Sequence, residues 1–185
     1  MNKIIEEVLW AIYHQTSSGF GHPKDPRFTL LDGLIKAVHD LTGEQLTQKQ
    51  LNSVIADLKK QKLIGKKKNY EDSVLVSLSE TGFLRVLNSR FRRLNHKKEK
   101  WDGKWRMVAF DIPDSHRKGR NALRYRLKMG GFYEFQESIF LYPYDCKKEI
   151  DDFVKLFKLE KYVRFGLLDF IDIEDKLKFR FFRQG

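Results

Sequence analysis

Between Trp101 and Pro143 the chain reads WDGKWRMVAFDIPDSHRKGRNALRYRLKMGGFYEFQESIFLYP. No other stretch constrains the fold as tightly. Met107, Val108, Ala109 and Phe110 form the centre of a strand running from Lys104 to Ile112, with the carboxylate Asp111 near its end. Asp114 or Ser115 is placed to cap a basic helix reaching Met129. Gly130 and Gly131 stop that helix by supplying positive φ at its C-cap. Phe132 to Gln136 and Ser138 to Tyr142 follow as two strands. Lys147 to Leu159 is a helix with Ile150, Phe153, Val154 and Phe157 facing inward, and Tyr162 to Ile171 is a fourth strand. This β-α-β-β-α-β order is that of a ferredoxin-like domain. Lys176 to Phe182, KLKFRFF, alternates cations with apolar residues and is expected to be a short extra strand. Such a strand can add to the sheet edge of a second copy.

The first hundred residues follow the helical period instead. Ile4, Ile5, Val8, Leu9 and Ile12 share one helix face. Residues 16–28 carry Gly19, Gly21, Pro23 and Pro26 and read as a loop. Thr29 is expected to cap a second helix, whose buried stripe is Leu31, Leu34, Ile35 and Val38. After Gly43, the sequence Thr47-Gln48-Lys49-Gln50 fits a capping box and opens a third helix with Leu51, Val54, Ile55 and Leu58 inside. Leu63-Ile64 and Ser73 to Leu78 read as the strands of a hairpin around a turn-rich basic tip, Gly65 to Asp72. Ser79 caps a further helix from Glu80 to about Asn95, with Phe83, Leu84, Leu87 and Phe91 as its apolar residues.

Three helices and a hairpin match a winged helix-turn-helix. The fold class expected is therefore α+β: a winged helix-turn-helix domain at 1–82, a basic linker helix at 83–100, and a ferredoxin-like domain at 101–185.

The bulk numbers narrow the partners. The 185 residues carry 36 Lys and Arg against 25 Asp and Glu, a net charge of +11, which favours a polyanion such as nucleic acid. A single cysteine, Cys146, excludes an internal disulfide and suits a reducing, cytoplasmic setting. Glu6 and Glu7 interrupt the first apolar run, so it does not read as a signal peptide. No run approaches the roughly 20 apolar residues of a membrane span.

Several rare residues then agree in order with a known pattern. Trp101-Asp102-Gly103-Lys104-Trp105-Arg106, Phe110-Asp111-Ile112-Pro113, Gly131-Phe132 and Gln136 through Phe140 resemble the central domain of the PaaX family, the phenylacetate-degradation transcriptional repressors. That domain is in turn similar to the CRISPR-associated Cas-two family of small dimeric proteins. The segment TQKQLNSVIADLKKQKLIGKKK, followed by VLVSLSETGF, resembles a winged helix-turn-helix. The resemblance implies a homodimeric, double-stranded-DNA-binding transcriptional regulator of repressor type, acting on a two-half-site operator. It assigns residues 101–185 as the dimerisation domain. Repressors of that family usually continue into a further C-terminal domain. Because this sequence stops at Gly185, the family's acyl-CoA response is not carried over from the resemblance, and whether an effector exists stays open.

The candidate DNA-binding residues are Gln48, Lys49, Asn52 and Ser53 on the outer face of the third helix. Asn and Gln can bond adenine in two places, and Lys reaches guanine or phosphate. Lys66, Lys67 and Lys68 in the hairpin, with Asn69 and Tyr70 beside them, suit phosphate contact. Arg92 and Arg93 belong to a basic run with Arg85, Arg90, Lys97, Lys98 and Lys100 that either lies over the duplex backbone or spaces the domains. The arginines of the helix after Asp111 either contact phosphate or pair with Asp114, Glu134 or Glu137.

Asp111 has two readings. It is a strand-end residue bonding the following turn, or, as in the Cas-two family, one of a pair of aspartates holding magnesium for phosphodiester cleavage. The alternative function is thus a metal-dependent nuclease, or a catalytically silent CRISPR-adaptation subunit. Under the regulator reading no cofactor, no enzyme activity and no membrane partner are expected.

Overall fold

The computed structural model describes residues 3–17, 29–31, 33–68, 74–96 and 99–182, and these divide into two compact units, Met1–Val86 and Leu87–Gly185. The secondary structure is mixed α and β.

In the first unit, helix α1 (Lys3–Ser17) buries Val8, Leu9 and Ile12 completely. They share a core with Leu34 and Val38 of α2 (Leu34–Thr42) and with Leu51, Val54, Ile55 and Leu58 of α3 (Gln48–Lys60). Strands β1 (Thr29–Leu30), β2 (Ile64–Lys68) and β3 (Val74–Leu78) form an antiparallel sheet in the order β1-β3-β2. In its register Ile64 faces Leu78 and Lys68 faces Val74. Ile64 and Val76 close the core from the sheet side.

Thr29 does not cap α2. It pairs with Val76 as a strand residue, the Leu31 N–H extends the ladder to the Val74 carbonyl at 2.9 Å, and Gly33 stands at the N-cap. A β-branched Thr suits a strand as well as a cap, and the long-range partner decides. Most of the loop expected at 16–28 lies outside the described residues.

Helix α4 (Glu80–Leu94) begins in a fixed place for a steric reason. The Ser79 hydroxyl accepts from the Gly82 N–H at 3.0 Å and donates to the Lys62 carbonyl at 2.7 Å. A Cβ on Gly82 would lie 2.0 Å from the Leu63 carbonyl oxygen, so only glycine allows this docking. Val86 packs into the first core, while Leu87, Phe91 and Leu94 are buried in the second unit.

The second unit is a four-stranded antiparallel sheet in the order β5-β6-β4-β7. Its strands are β4 (Trp105–Phe110), β5 (Tyr133–Gln136), β6 (Ile139–Tyr142) and β7 (Val163–Leu168). Helix α5 (Arg117–Met129), preceded by a 3-10 turn at Asp114–His116, links β4 to β5, and α6 (Lys147–Leu156) links β6 to β7. Strand side chains alternate between faces. Val108 and Phe110, with Phe140 and Tyr142 opposite or next to them, are buried on one face. Trp105 and Leu141 are buried on the other.

Helix α5 ends at the glycine pair, but the C-cap Gly130 stays right-handed at φ −75°, and the positive φ expected there falls on Gly131, at 80°. Its beginning differs from expectation, because neither Asp114 nor Ser115 makes a side-chain cap to α5 or to the 3-10 turn. The Asp114 carboxylate accepts instead from Arg120 at 2.7 Å. A charge-assisted bond to a guanidinium outweighs a bond to a backbone amide.

The segment expected to be an extra strand is helix α7 (Glu174–Phe182). Leu177 and Phe181 are four residues apart and so share a helix face. Leu177 is fully buried with Trp105 and Leu141, and Phe181 lies 5.9 Å from the Trp105 ring. Phe182 stacks near Trp101 and Trp105, at 5.3 and 6.2 Å, and Lys178 donates to Glu174 at 2.9 Å. Alternation in KLKFRFF suggested a strand, but the indole surface at Trp101 and Trp105 rewards a period of 3.6. The strand exchange expected of this segment therefore has no strand to carry it.

Candidate nucleic-acid interface

Local chemistry fixes the start of α3. The Thr47 hydroxyl accepts from the Gln50 N–H at 3.2 Å, and the Gln50 side chain accepts from the Thr47 N–H at 2.9 Å. From that start, burial of Leu51, Val54, Ile55 and Leu58 turns Gln48, Lys49, Asn52 and Ser53 outward, and all four are exposed. The Gln48 amide donates to the Asn52 carbonyl oxygen at 3.3 Å across one helical turn. This bond holds the two amides together through the Asn52 oxygen and does not use the Asn52 NH2 group. Two amides and an ammonium at the N-terminal end of an exposed helix face form a donor and acceptor set suited to base edges and phosphates.

The lysines of the hairpin are more ordered than a turn would make them. Lys66, Lys67 and Lys68 lie within β2, opposite Val76, Leu75 and Val74. Lys66 is exposed. The side chains of Lys67 and Lys68, and the tip residues Asn69 and Tyr70, lie outside the described residues.

The basic run of α4 divides by depth. Arg92 and Arg93 are exposed. Arg85 donates to Glu6 at 2.9 Å and to Gln61 at 3.0 Å. Arg90, only 4 % exposed, donates to Glu149 at 2.7 Å and to Asp152 at 2.5 Å. Arg90 is thus an internal ion-pair centre of the second unit. Lys97 and Lys98 lie outside the described residues.

The helix after Asp111 also divides its arginines. Arg124 and Lys128 both bond Glu134, at 3.0 and 2.7 Å, and hold its carboxyl below the usual range, Lys128 most strongly. Arg126 is buried, with its guanidinium 5.2 Å from the centre of the Phe153 ring and its pKa lowered by loss of water.

Asp111 is exposed, and its backbone N–H donates to the Tyr162 carbonyl at 2.9 Å. It lies where two depressions of about 340 and 470 Å³ meet, both lined by Phe110, Asp111 and Ser138. Arg120, Asn121, Arg124 and Glu137 line the first; Lys161, Tyr162 and Arg164 line the second. Lys161 and Arg164 escaped the sequence reading. Their signal is visible only in register, because Arg164 pairs with Ala109 at the end of β4.

Magnesium prefers several oxygen ligands in octahedral array. Among the described residues, no group of three or more His, Cys, Asp or Glu side chains could hold a metal ion. In a single chain the Asp111 carboxylate stands among Arg120, Arg124, Lys161 and Arg164, and these charges repel a divalent cation. The residues of one chain do not fit a magnesium site.

Among the described residues no helix is long and apolar enough to cross a membrane. Residues 98–177 match the family model described as the PaaX protein central Cas2-like domain, and the second half of the chain is similar to that domain. No curated protein matches the chain.

Proposed function

We propose that this PaaX-like protein, identified through its Cas2-like domain, is a DNA-binding transcriptional regulator of repressor type that acts as a homodimer on a two-half-site operator. In this reading the first unit is a winged helix-turn-helix, with α3 as recognition helix and β2–β3 as wing, and the second unit is a ferredoxin-like dimerisation domain. The observation that carries it is the capped α3, with Gln48, Lys49, Asn52 and Ser53 outward on the first turn and a half. A helix entering the major groove reads bases with the residues near its N-terminus. Lys66, Lys67 and Lys68 on the adjoining strand supply phosphate contacts, and Arg92 and Arg93 add to them.

Homodimerisation is supported by an apolar sheet edge. β7 is the last strand of its sheet, Leu167 on it is 55 % exposed, and Phe170 just beyond is 79 % exposed. A second copy of the chain would cover these side chains.

Selection of bound duplexes from a random DNA library tests the proposal. The expected result is an enriched palindrome or near-palindrome whose half-sites lie one helical turn or a multiple apart. Recovery of unenriched sequence would overturn base-specific recognition. Magnesium-dependent cleavage lost in Asp111→Asn would favour the nuclease alternative.

A further inference from the structure

We propose that the paired depressions around Asp111 form a binding site for a phosphate-bearing ligand with two anionic groups, one held by Arg120 and Arg124 and the other by Lys161 and Arg164. The site belongs to the second unit and is independent of the recognition helix.

The lining carries four cations against two carboxylates, Asp111 and Glu137. Three of the cations are arginines whose guanidinium planes are already fixed by bonds behind them. Arg120 donates to the Ile112 carbonyl at 2.9 Å and to Asp114 at 2.7 Å. Arg124 donates through one terminal nitrogen to Glu134 at 3.0 Å. Arg164 donates through one terminal nitrogen to the Glu160 and Val163 carbonyls, at 3.0 and 2.9 Å. The remaining guanidinium N–H groups of Arg124 and Arg164 have no acceptor among the described residues. A guanidinium fixed on one side and open on the other is pre-organised for a phosphate.

Charge and volume set the ligand class. Asp111 sits between the two cation pairs and repels an anion from the centre. It thereby separates two anionic groups and accepts a hydrogen bond from whatever joins them. The Asn121 amide and the Ser138 and Tyr162 hydroxyls also line the walls. The two lobes are each within the range of small-molecule sites, roughly 300–1,000 Å³. A nucleotide unit, with phosphates on either side of a hydroxylated or amide-bearing moiety, has this chemistry. Its source is either a free nucleotide or the end of a nucleic-acid strand.

Calorimetric titration of the full chain with a 5′-phosphorylated dinucleotide, in EDTA so that no metal takes part, tests the site. The wild-type chain is expected to bind, and Lys161→Ala and Arg124→Met are each expected to weaken binding about tenfold, the loss of one charge-assisted contact. Lys161 is exposed, so its substitution leaves the fold intact even if Arg124→Met unsettles Glu134. Displacement of the dinucleotide by random duplex would assign the ligand to a nucleic-acid end, and persistence would assign it to a free nucleotide. Absence of binding in EDTA, or binding unchanged in both variants, would overturn the proposal. Selection of duplexes from the random library does not depend on Lys161 or Arg124, so failure of the operator reading is seen separately.

Discussion

Thr47 and Gln50 cap each other reciprocally: the Gln50 N–H donates to the Thr47 hydroxyl at 3.2 Å, and the Thr47 N–H donates to the Gln50 side-chain oxygen at 2.9 Å. That pair decides where α3 begins, and so which side chains its first turn presents. Thr47→Ala should lower stability by about 1 kcal/mol, read as a shift of the urea midpoint at constant slope. It should also weaken DNA binding, because a frayed first turn no longer holds Gln48 and Lys49 in place.

Arg90 shows that a basic run is not one surface. Arg90→Met leaves Glu149 and Asp152 without their buried guanidinium, and should cost about 3 kcal/mol in denaturant unfolding. The exposed Arg92 behaves oppositely. Arg92→Ala should change stability by no more than about 0.5 kcal/mol and should reduce the salt dependence of DNA binding, whose logarithmic slope is about −0.9 per phosphate contacted.

The glycines separate sterics from backbone strain. Gly82→Ala places a methyl against the Leu63 carbonyl and should cost about 3 kcal/mol or prevent folding. Gly43→Ala meets no atom within 4 Å but must hold φ at 73°, and should cost about 1 kcal/mol. Equal losses in thermal unfolding would contradict the packing at the start of α4.

Acid should act through Asp102. Its carboxylate takes two bonds from Arg106, at 2.6 and 2.7 Å, and these together with the Lys104 N–H lower its pKa to about 2. A folded-state pKa below the unfolded value means stability that is complete above about pH 4 and lost as pH falls through 2. Asp102→Asn should flatten the stability profile in that window while leaving the slope above pH 5 unchanged.

What was legible in the sequence was what local chemistry decides. The capping box, the glycine stop of α5 and the strand centred on Met107 to Phe110 depend on neighbours a few residues away. What was hidden depends on distant partners. The inward role of Arg90 rests on Glu149 and Asp152, and α7 exists because the indoles of Trp101 and Trp105 meet Phe181 and Phe182. Of the trough at Asp111, Arg120 and Arg124 were visible as helix cations, but Lys161 and Arg164 arrive only through the pairing of β7 with β4.

Base readout by α3 is the central claim, and competition binding with Asn52→Ala measures it most directly. On the duplex recovered by selection the variant should lose about tenfold or more in affinity, the worth of a bidentate amide contact. On a scrambled duplex of the same length its affinity should stay within about twofold of the wild type, since the phosphate contacts are untouched. Equal loss on both duplexes would contradict recognition through this face.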